Sequence, residues 1–478
     1  MKKYKVFING EFIDAESQEI IEVTNPANGE IVSQVPSSSR DDVEKAIRSA
    51  VSAQSKWRRM PQIDRALYLK KIAIRLREQS DYFGKIICEE QGKPLSHAIG
   101  EVLGAADLFE YHAEWARRIE GELIPSDSPN ENIFLYKEPL GVVTCILPWN
   151  FPMYVLARKM APALITGNVT ILKPSSETPN SALEFAKILQ DIDLPAGVTN
   201  VITGRGSIIG NTLTTDPRIN MVTVTGSTES GKDIMRSCAE NITKVSLELG
   251  GKAPAIVMDD ADIELATRSI IDSRISNAGQ VCNCTERVYV HENIYDSVVE
   301  RIVELMKNIT FGDGMRDKNV QMGPLINHSA VKSVHDMVIK AIKDGAELLL
   351  GGYIPEQYSK GSFYPPTVLV NCQQSMEIMH KEIFGPVLPV MKFKTLDEAI
   401  SLANDCEYGL TSTIYTKDLN RALFAANNME SGEVYINRKQ SEAYNGYHAG
   451  WKKSGLGGDD GKHGMEEFLQ TRIVYIKY

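Results

Sequence analysis

Positive charge is in deficit in this chain: Lys and Arg number 52 against 62 Asp and Glu, a net charge of -10 over 478 residues. No global basic field exists to gather nucleic acid or an anionic membrane, so an anionic ligand needs local positive groups. Long apolar runs are missing as well, and none approaches the roughly 20 residues of a membrane span. The start MKKYKVFING returns to polar Asn9 and Glu11 before an apolar signal segment forms, so none is expected. Cysteine is sparse: Cys88, Cys145, Cys238, Cys282, Cys284, Cys372 and Cys406 are odd in number and dilute, which fits reduced thiols better than a disulfide framework. Internal repeats and low-complexity segments are also lacking. What is left is a cytoplasmic globular protein without nucleic-acid or membrane partners.

Hydrophobic residues at 43% and charged residues at 24% are ordinary for such a chain, and at about 150 residues per domain its length allows roughly three. From residue 141 short apolar runs alternate with amphipathic stretches. GVVTCIL (141–147), VTIL (169–172), VTNVI (198–202) and MVTV (221–224) are β-branched runs of the kind buried on both faces of a sheet. Asn180 to Ile192 carries its apolar residues at helical spacing. This alternation predicts a parallel, doubly wound sheet with ligands at the carboxyl ends of its strands. After Gly250-Gly251 the pattern restarts, with a strand at 255–258, a helix from Ile263 to about Asn277, a strand at 288–290 and a helix from Tyr295 to Met306.

Three helices are expected earlier, over 43–54, 63–79 and up to about Ile119. They are followed by GELIPSDSPNENIFLYKEPLG, which reads as a β-hairpin outside the main sheet. The strand-like tail Thr471 to Ile476 needs an edge to pair with, which suggests subunit assembly. The expected fold class is α/β: two doubly wound Rossmann-like domains plus a small β extension. The cofactor domain takes 1–118 and 139–250. The catalytic domain takes 251–465, its tail lining a tunnel, and the assembly pieces are 119–138 and 466–478.

The sharpest chemical feature is Gly279-Gln280-Val281-Cys282-Asn283-Cys284. A cysteine acts as a nucleophile when a partly open, polarised site stabilises its thiolate; the plainer alternative is a small core residue, the reading kept for Cys145, Cys238, Cys372 and Cys406. Cys282 and Cys284 also form a metal half-site, but no second pair and no nearby histidine completes a tetrahedral set, so no metal is expected. In Leu247-Glu248-Leu249-Gly250-Gly251-Lys252 an acid lies between leucines, an environment that raises a carboxyl pKa toward that of a general base; a surface glutamate near a turn is the alternative. Pro148-Trp149-Asn150-Phe151-Pro152 fixes a backbone that lets the Asn150 amide donate to an oxyanion. Lys173-Pro174-Ser175-Ser176, Gly204-Arg205-Gly206 and Gly226-Ser227 each follow a strand, where a dinucleotide would lie. Gly204, Gly206 and Gly210 miss the usual dinucleotide fingerprint by one residue, so these glycines also read as turn formers.

Together with FINGEFI, TNPANGEIV, EIFGPVLPV and SGLGG, these motifs resemble the aldehyde dehydrogenase superfamily from Val6 to the C-terminus. The resemblance implies that Cys282 attacks the aldehyde, that Asn150 and the Cys282 amide hold the oxyanion, and that Glu248 activates the water that hydrolyses a thioester. It also implies Lys173 at the adenosine ribose, Trp149, Gly206, Gly226 and Ser227 around the pyrophosphate region, and Glu382 with Phe384 at the nicotinamide ribose. One departure is Ser176, where NAD-preferring members usually carry glutamate. Serine neither binds the ribose hydroxyls as strongly nor repels a 2'-phosphate. No arginine stands out at that loop, so NAD is the expected cofactor, with NADP accepted.

At tunnel positions where members acting on fatty or aromatic aldehydes place large rings, this chain has Arg158, Glu442 and His448, with Asn283 beside the nucleophile. Such a lining disfavours an alkyl chain and implies a short polar aldehyde. RKMAPAL and YHAGWKKSG are similar to the bacterial lactaldehyde/glycolaldehyde branch. Arg158 pairing with Glu442 at the tunnel mouth is the alternative. Succinate semialdehyde dehydrogenases, possible NADP users, are the rival group. The presence of Glu248 argues against a CoA-acylating member, and the Cys282/Glu248 pair argues against a catalytically silent protein. The assembly implied is a homo-oligomer, tetramer or dimer.

Overall fold

The computed structural model describes residues 1–478. Its centre is an eight-stranded sheet whose five parallel strands lie side by side in the order Lys244–Glu248, Ile219–Thr225, Val142–Ile146, Val169–Lys173 and Thr199–Val201. The chain starts at Val142–Ile146, builds outward through two strands, then returns to the other side of its starting point. That reversal is the doubly wound topology, and it opens a crevice between the carboxyl ends of Val142–Ile146 and Ile219–Thr225. Antiparallel strands Val6–Ile8 and Gly455–Leu456 extend the sheet at either end.

A second sheet has six parallel strands, Thr367–Val370, Val387–Phe393, Thr285–His291, Ala253–Val257, Thr411–Tyr415 and Glu433–Ile436, with Glu347–Leu350 antiparallel at one edge. Each sheet has its own apolar core, of 61 and 45 buried residues, as expected when a chain this long exceeds what one core can hold. The expected α/β class is observed, and no helix is long and apolar enough to cross a membrane.

The helical layer on the first sheet begins at Arg40–Trp57. Ser39 caps it, its hydroxyl accepting from the Asp42 N–H and the Asp42 carboxylate accepting from the Ser39 N–H at 2.8 Å. The third expected helix is two helices, Ser80–Gln91 and Leu95–Ala113, because Gly92 adopts a left-handed φ and Pro94 cannot continue the first. The hairpin Glu122–Pro125/Glu131–Pro139 stands off both cores and pairs antiparallel with Leu469–Lys477, forming a separate three-stranded sheet. Beyond Ile436 the chain leaves the second sheet. Gly455–Leu456 pairs with Lys244–Glu248, and Met465 and Phe468 enter the first core. Gly455–Met465, assigned on sequence to the 251–465 unit, thus packs on the first, as does Phe468 of the 466–478 piece.

Candidate active site

Where the two sheets face each other a cavity of about 920 Å³ opens, lined in its depth by Asn150, Glu248, Cys282, Asn283, Arg158 and Glu442. Glu248 ends the strand next to the crevice, and the hinge brings it to the nucleophile loop. At Gly251 a side-chain carbon would lie 2.2 Å from the Cys282 carbonyl oxygen, so only glycine lets the two main chains touch here. The loop reaches Cys282 through Asn277, Ala278 and Gly279, all at positive φ (47°, 56° and 75°), an uncommon backbone that the surroundings must hold in place. Arg274 contributes by donating through Nε to the Gly385 carbonyl at 2.7 Å.

Cys282 is half-buried, and its N–H takes part in no backbone hydrogen bond. Burial pushes its thiol up to about 12, and the Glu248 charge adds to that rise while His448 opposes it. Glu248 is 1% exposed, yet neither carboxylate oxygen has an aligned hydrogen-bond donor. It is not the surface glutamate of the alternative reading. Asn150 donates one amide N–H to the Gln280 carbonyl at 3.0 Å. Its own carbonyl accepts from Lys93 Nζ at 2.7 Å and Asn277 Nδ2 at 3.1 Å. Lys93 is in turn ion-paired to Glu101 at 2.6 Å, whose other oxygen accepts the Met153 N–H at the start of the Pro152–Thr166 helix.

His448 differs from its expected place. The imidazole is not in the tunnel wall but buried behind the reactive pair, its side chain 0% exposed. Nε2 lies 3.2 Å from Glu248 Oε1 and Nδ1 lies 2.8 Å from Glu433 Oε1. The ligand-type atoms of Glu248, Cys282 and His448 are within 4.8 Å of one another, so a histidine that is distant in sequence does come near the nucleophile. Burial opposes its charge, but Glu248, Cys282 and Glu433 together hold the imidazole well above the usual histidine range. Cys284 is not part of this group: its thiol donates to the Val281 carbonyl at 3.1 Å and sits 3.4 Å from an Arg274 nitrogen.

The tunnel charges are paired. Arg158 meets Glu442 at 2.7 Å and Asp460 at 2.8 Å, and the second Glu442 oxygen accepts from Asn283 Nδ2 at 2.8 Å. The alternative of an Arg158–Glu442 pair is therefore realised, and Asp460, unforeseen, completes it. Burial raises the Glu442 carboxyl, but Arg158 and His448 outweigh it and hold the group down at about 2. Of the thiols read as core residues, Cys145, Cys238 and Cys372 are buried, while Cys406 is partly exposed because it lies outside the second core.

The crevice of the first sheet is fit to hold a dinucleotide. Lys173 is buried with no carboxylate partner, and burial pushes its ammonium down to about 8. A side-chain carbon at Gly206 would meet no atom within 4 Å, so that turn leaves open space. Ser227, after Gly226, caps Thr228–Cys238 and aims that helix's N-terminus at the crevice, a favourable place for phosphate. Trp149 meets Phe384 edge-to-face at 5.5 Å. Glu382 accepts the Gly251 N–H at 2.8 Å, and burial raises its carboxyl to about 8. Ser176 Oγ donates weakly to the Gly204 carbonyl at 3.4 Å. The next residue, Arg205, is exposed and close enough for its charge to act, against the effect of burial, on Glu177. An arginine does stand at this loop once the fold has brought 176 and 205 together.

Sequence reasoning missed Lys93, Glu101, Glu433 and Asp460, as well as the buried cluster in which Glu286 joins Lys252 (2.7 Å) and Arg274 (2.8 Å). Each is a charged residue in an unremarkable local context whose partner lies on a different element. GQVCNCTER and LELGGKAP contain Glu286 and Lys252, but no periodicity marks them as buried.

The sequence profile of the aldehyde dehydrogenase family matches residues 12–474. Lactaldehyde dehydrogenase of Escherichia coli (strain K12) is 51% identical over 475 residues, covering 99% of each chain. A crystal structure of lactaldehyde dehydrogenase from Escherichia coli superposes with a TM-score of 0.98 at 52% identity over 100% of both chains. Succinate-semialdehyde dehydrogenase [NADP(+)] of Escherichia coli (strain K12) is 39% identical over 474 residues, covering 99% of this chain and 98% of its own. This chain belongs to the aldehyde dehydrogenase family and is an NAD(P)-dependent oxidoreductase.

Proposed function

We propose that the chain oxidises a short polar aldehyde, L-lactaldehyde or glycolaldehyde, to its carboxylic acid, using NAD and accepting NADP. One observation carries the substrate reading: among the Phe151, Tyr154 and Tyr444 rings that also line the Cys282 cavity, the wall holds the polar Arg158–Glu442–Asn283 network. An alkyl chain would strip water from these groups without replacing its hydrogen bonds, whereas a hydroxyl beside the aldehyde carbon can replace them. Arg158 already serves two carboxylates, which disfavours a substrate bringing a third, as succinate semialdehyde does.

In this reading Cys282 gives its thiol proton to Glu248, which passes it to water, and Sγ attacks the aldehyde carbon. The Cys282 N–H and the uncommitted Asn150 amide hydrogen hold the oxygen as it becomes anionic, while Lys93, Asn277 and Gln280 keep Asn150 in place. A nicotinamide dinucleotide, bound through Lys173, Ser176, Trp149, Gly206, Gly226, Ser227, Glu382 and Phe384, supplies the hydride acceptor. Glu248, free of aligned partners, then takes the proton of the water that releases the acid from Cys282. Ser176 leaves the 2'-position unopposed and Arg205 offers charge beside it, which supports NADP acceptance.

The first unit (1–118 and 139–250, with the end of the 251–465 stretch packed on it) serves the cofactor, and the unit that begins at 251 carries the nucleophile. The sheet of 119–138 and 466–478 joins subunits through exposed Leu123, Ile473 and Tyr475, and light scattering checks this by reading a dimer or tetramer. The place of action is the cytoplasm, where free thiols persist.

The deciding experiment compares NADH and NADPH formation with L-lactaldehyde, glycolaldehyde, succinate semialdehyde and a medium-chain aldehyde. A higher kcat/KM for the two hydroxyaldehydes with NAD is expected. A higher value for succinate semialdehyde with NADP overturns both substrate and cofactor assignments.

A further inference from the structure

Three potential metal ligands converge beside the cavity, Glu248 and Cys282 lining it and His448 buried behind them. Both Glu248 oxygens and His448 Nε2 are buried without an aligned hydrogen-bond partner, and Cys282 Sγ completes the group with all ligand-type atoms within 4.8 Å of one another. Buried polar groups are seldom left without an aligned partner, and a role in holding an ion is one ordinary reason for it. The set is one thiolate, one imidazole and one carboxylate, which suits a borderline-soft cation and not magnesium or calcium. The histidine is also prepared for the task. Glu433 Oε1 accepts from Nδ1 at 2.8 Å, the carboxylate–histidine arrangement that fixes the tautomer and turns Nε2 toward a metal. Tyr435 donates to the other Glu433 oxygen and steadies it.

We propose that Glu248, Cys282 and His448 form a reversible Zn²⁺ site whose occupancy shuts the enzyme. Zinc bonds of about 2.0–2.3 Å need ligands three to four ångströms apart, and His448 Nε2 already stands 3.2 Å from Glu248 Oε1. On binding, the thiol and the Nε2–H each lose a proton to water as the Zn–S and Zn–N bonds form. No oxidation state changes. The fourth position faces the cavity, which Glu248 and Cys282 line, and water fills it. The metal takes the nucleophile, the base and the positive imidazole out of use together.

The loss of turnover rests on the proposed role of Cys282, but the binding does not, so the two are measured separately. Apo-enzyme in thiol-free buffer is titrated with Zn²⁺ by equilibrium dialysis, and with Co²⁺ followed by its near-ultraviolet thiolate-to-metal absorption. One tight equivalent per chain, a cobalt–thiolate band abolished by alkylating Cys282, and inhibition reversed by chelator are expected. Magnesium in large excess should do nothing. Glu433→Gln, which leaves all three ligands in place, should raise the zinc concentration for half-occupancy about 10–100-fold, and His448→Gln by at least as much. No tight equivalent in the wild type, or equal zinc affinity in both folded variants, overturns the site. Tight zinc with the cobalt–thiolate band but undiminished turnover overturns the shut-off, and with it Cys282 as the nucleophile, while the binding site itself stands.

Discussion

Two buried charge clusters lie within one loop of each other and behave in opposite ways. In the first, Glu286 is served completely: Lys252 and Arg274 pair with it, and the Ile383 and Phe384 N–H groups donate to it at 2.9 and 3.1 Å. In the second, Glu248 is equally buried, but neither oxygen has an aligned hydrogen-bond donor, and its charged neighbour is the His448 imidazole, 3.2 Å from Oε1. The first ties the Thr285–His291 strand to the 382–384 loop and has no capacity left for chemistry. The second retains unused lone pairs where it borders the cavity, so that an approaching water or substrate meets the full strength of the group. Of these two clusters, the completely paired one is scaffold and the incompletely paired one borders the reactive cavity.

The widest separation of the two clusters comes from Cys282→Ser, which is expected to lower turnover by about 10⁴-fold or more without moving the melting temperature; NADH formation and calorimetry on one preparation check it. Glu248→Gln should lower steady-state turnover by about 10²–10⁴-fold and leave a pre-steady-state NADH burst, because only the second half-reaction needs the base. A rapid-mixing trace without a burst contradicts that assignment. On the scaffold side, Glu286→Gln should cost about 3–5 kcal/mol in urea unfolding, since it leaves Lys252 and Arg274 buried without their carboxylate. If Glu286→Gln is as stable as wild type while Glu248→Gln unfolds, the comparison is inverted.

A smaller effect sharpens the tunnel. Arg158→Met should shift the kcat/KM ratio toward a medium-chain aldehyde by about 10–100-fold, read from paired substrate titrations. The smallest effect tests whether an unpaired buried group away from the site affects stability alone. His112 is fully buried with neither nitrogen partnered, and burial pushes its pKa from 6.5 down to about 3. Its neutral form is favoured in the fold, so this contribution is complete above about 6.5 and is lost as pH falls from there toward 3. His112→Leu should flatten that part of the stability–pH curve, as thermal melts across the range would show.

Much of this was readable from the residues. The β-branched runs from Gly141 to Val224 and the restart after Gly250-Gly251 gave two parallel sheets because burial on both faces leaves a continuous apolar signature. Asn150, Glu248 and Cys282 carried local motifs and line one cavity. The errors share a cause. The third early helix was read through Gly92 and Pro94, a break set by two residues inside a strong amphipathic pattern. His448 was placed in the tunnel and Arg205 was overlooked because their neighbours, Glu248 and Glu433 for one and Ser176 for the other, are distant in sequence. Pairing across elements leaves no periodicity to read, and the Arg158–Glu442–Asp460 triad joins a helix to two points of the tail.

The contact at Gly251 bears on how such an enzyme can change its diet over evolutionary time. The base-bearing strand and the nucleophile loop meet there main chain to main chain, with no room for a side chain between them. The spacing of the two reacting groups is therefore insulated from ordinary substitution, while the walls that select the aldehyde consist of replaceable side chains such as Arg158, Asn283 and Glu442. Specificity can drift one residue at a time around an invariant reaction, and a lineage can sample new aldehydes without relearning how to oxidise them.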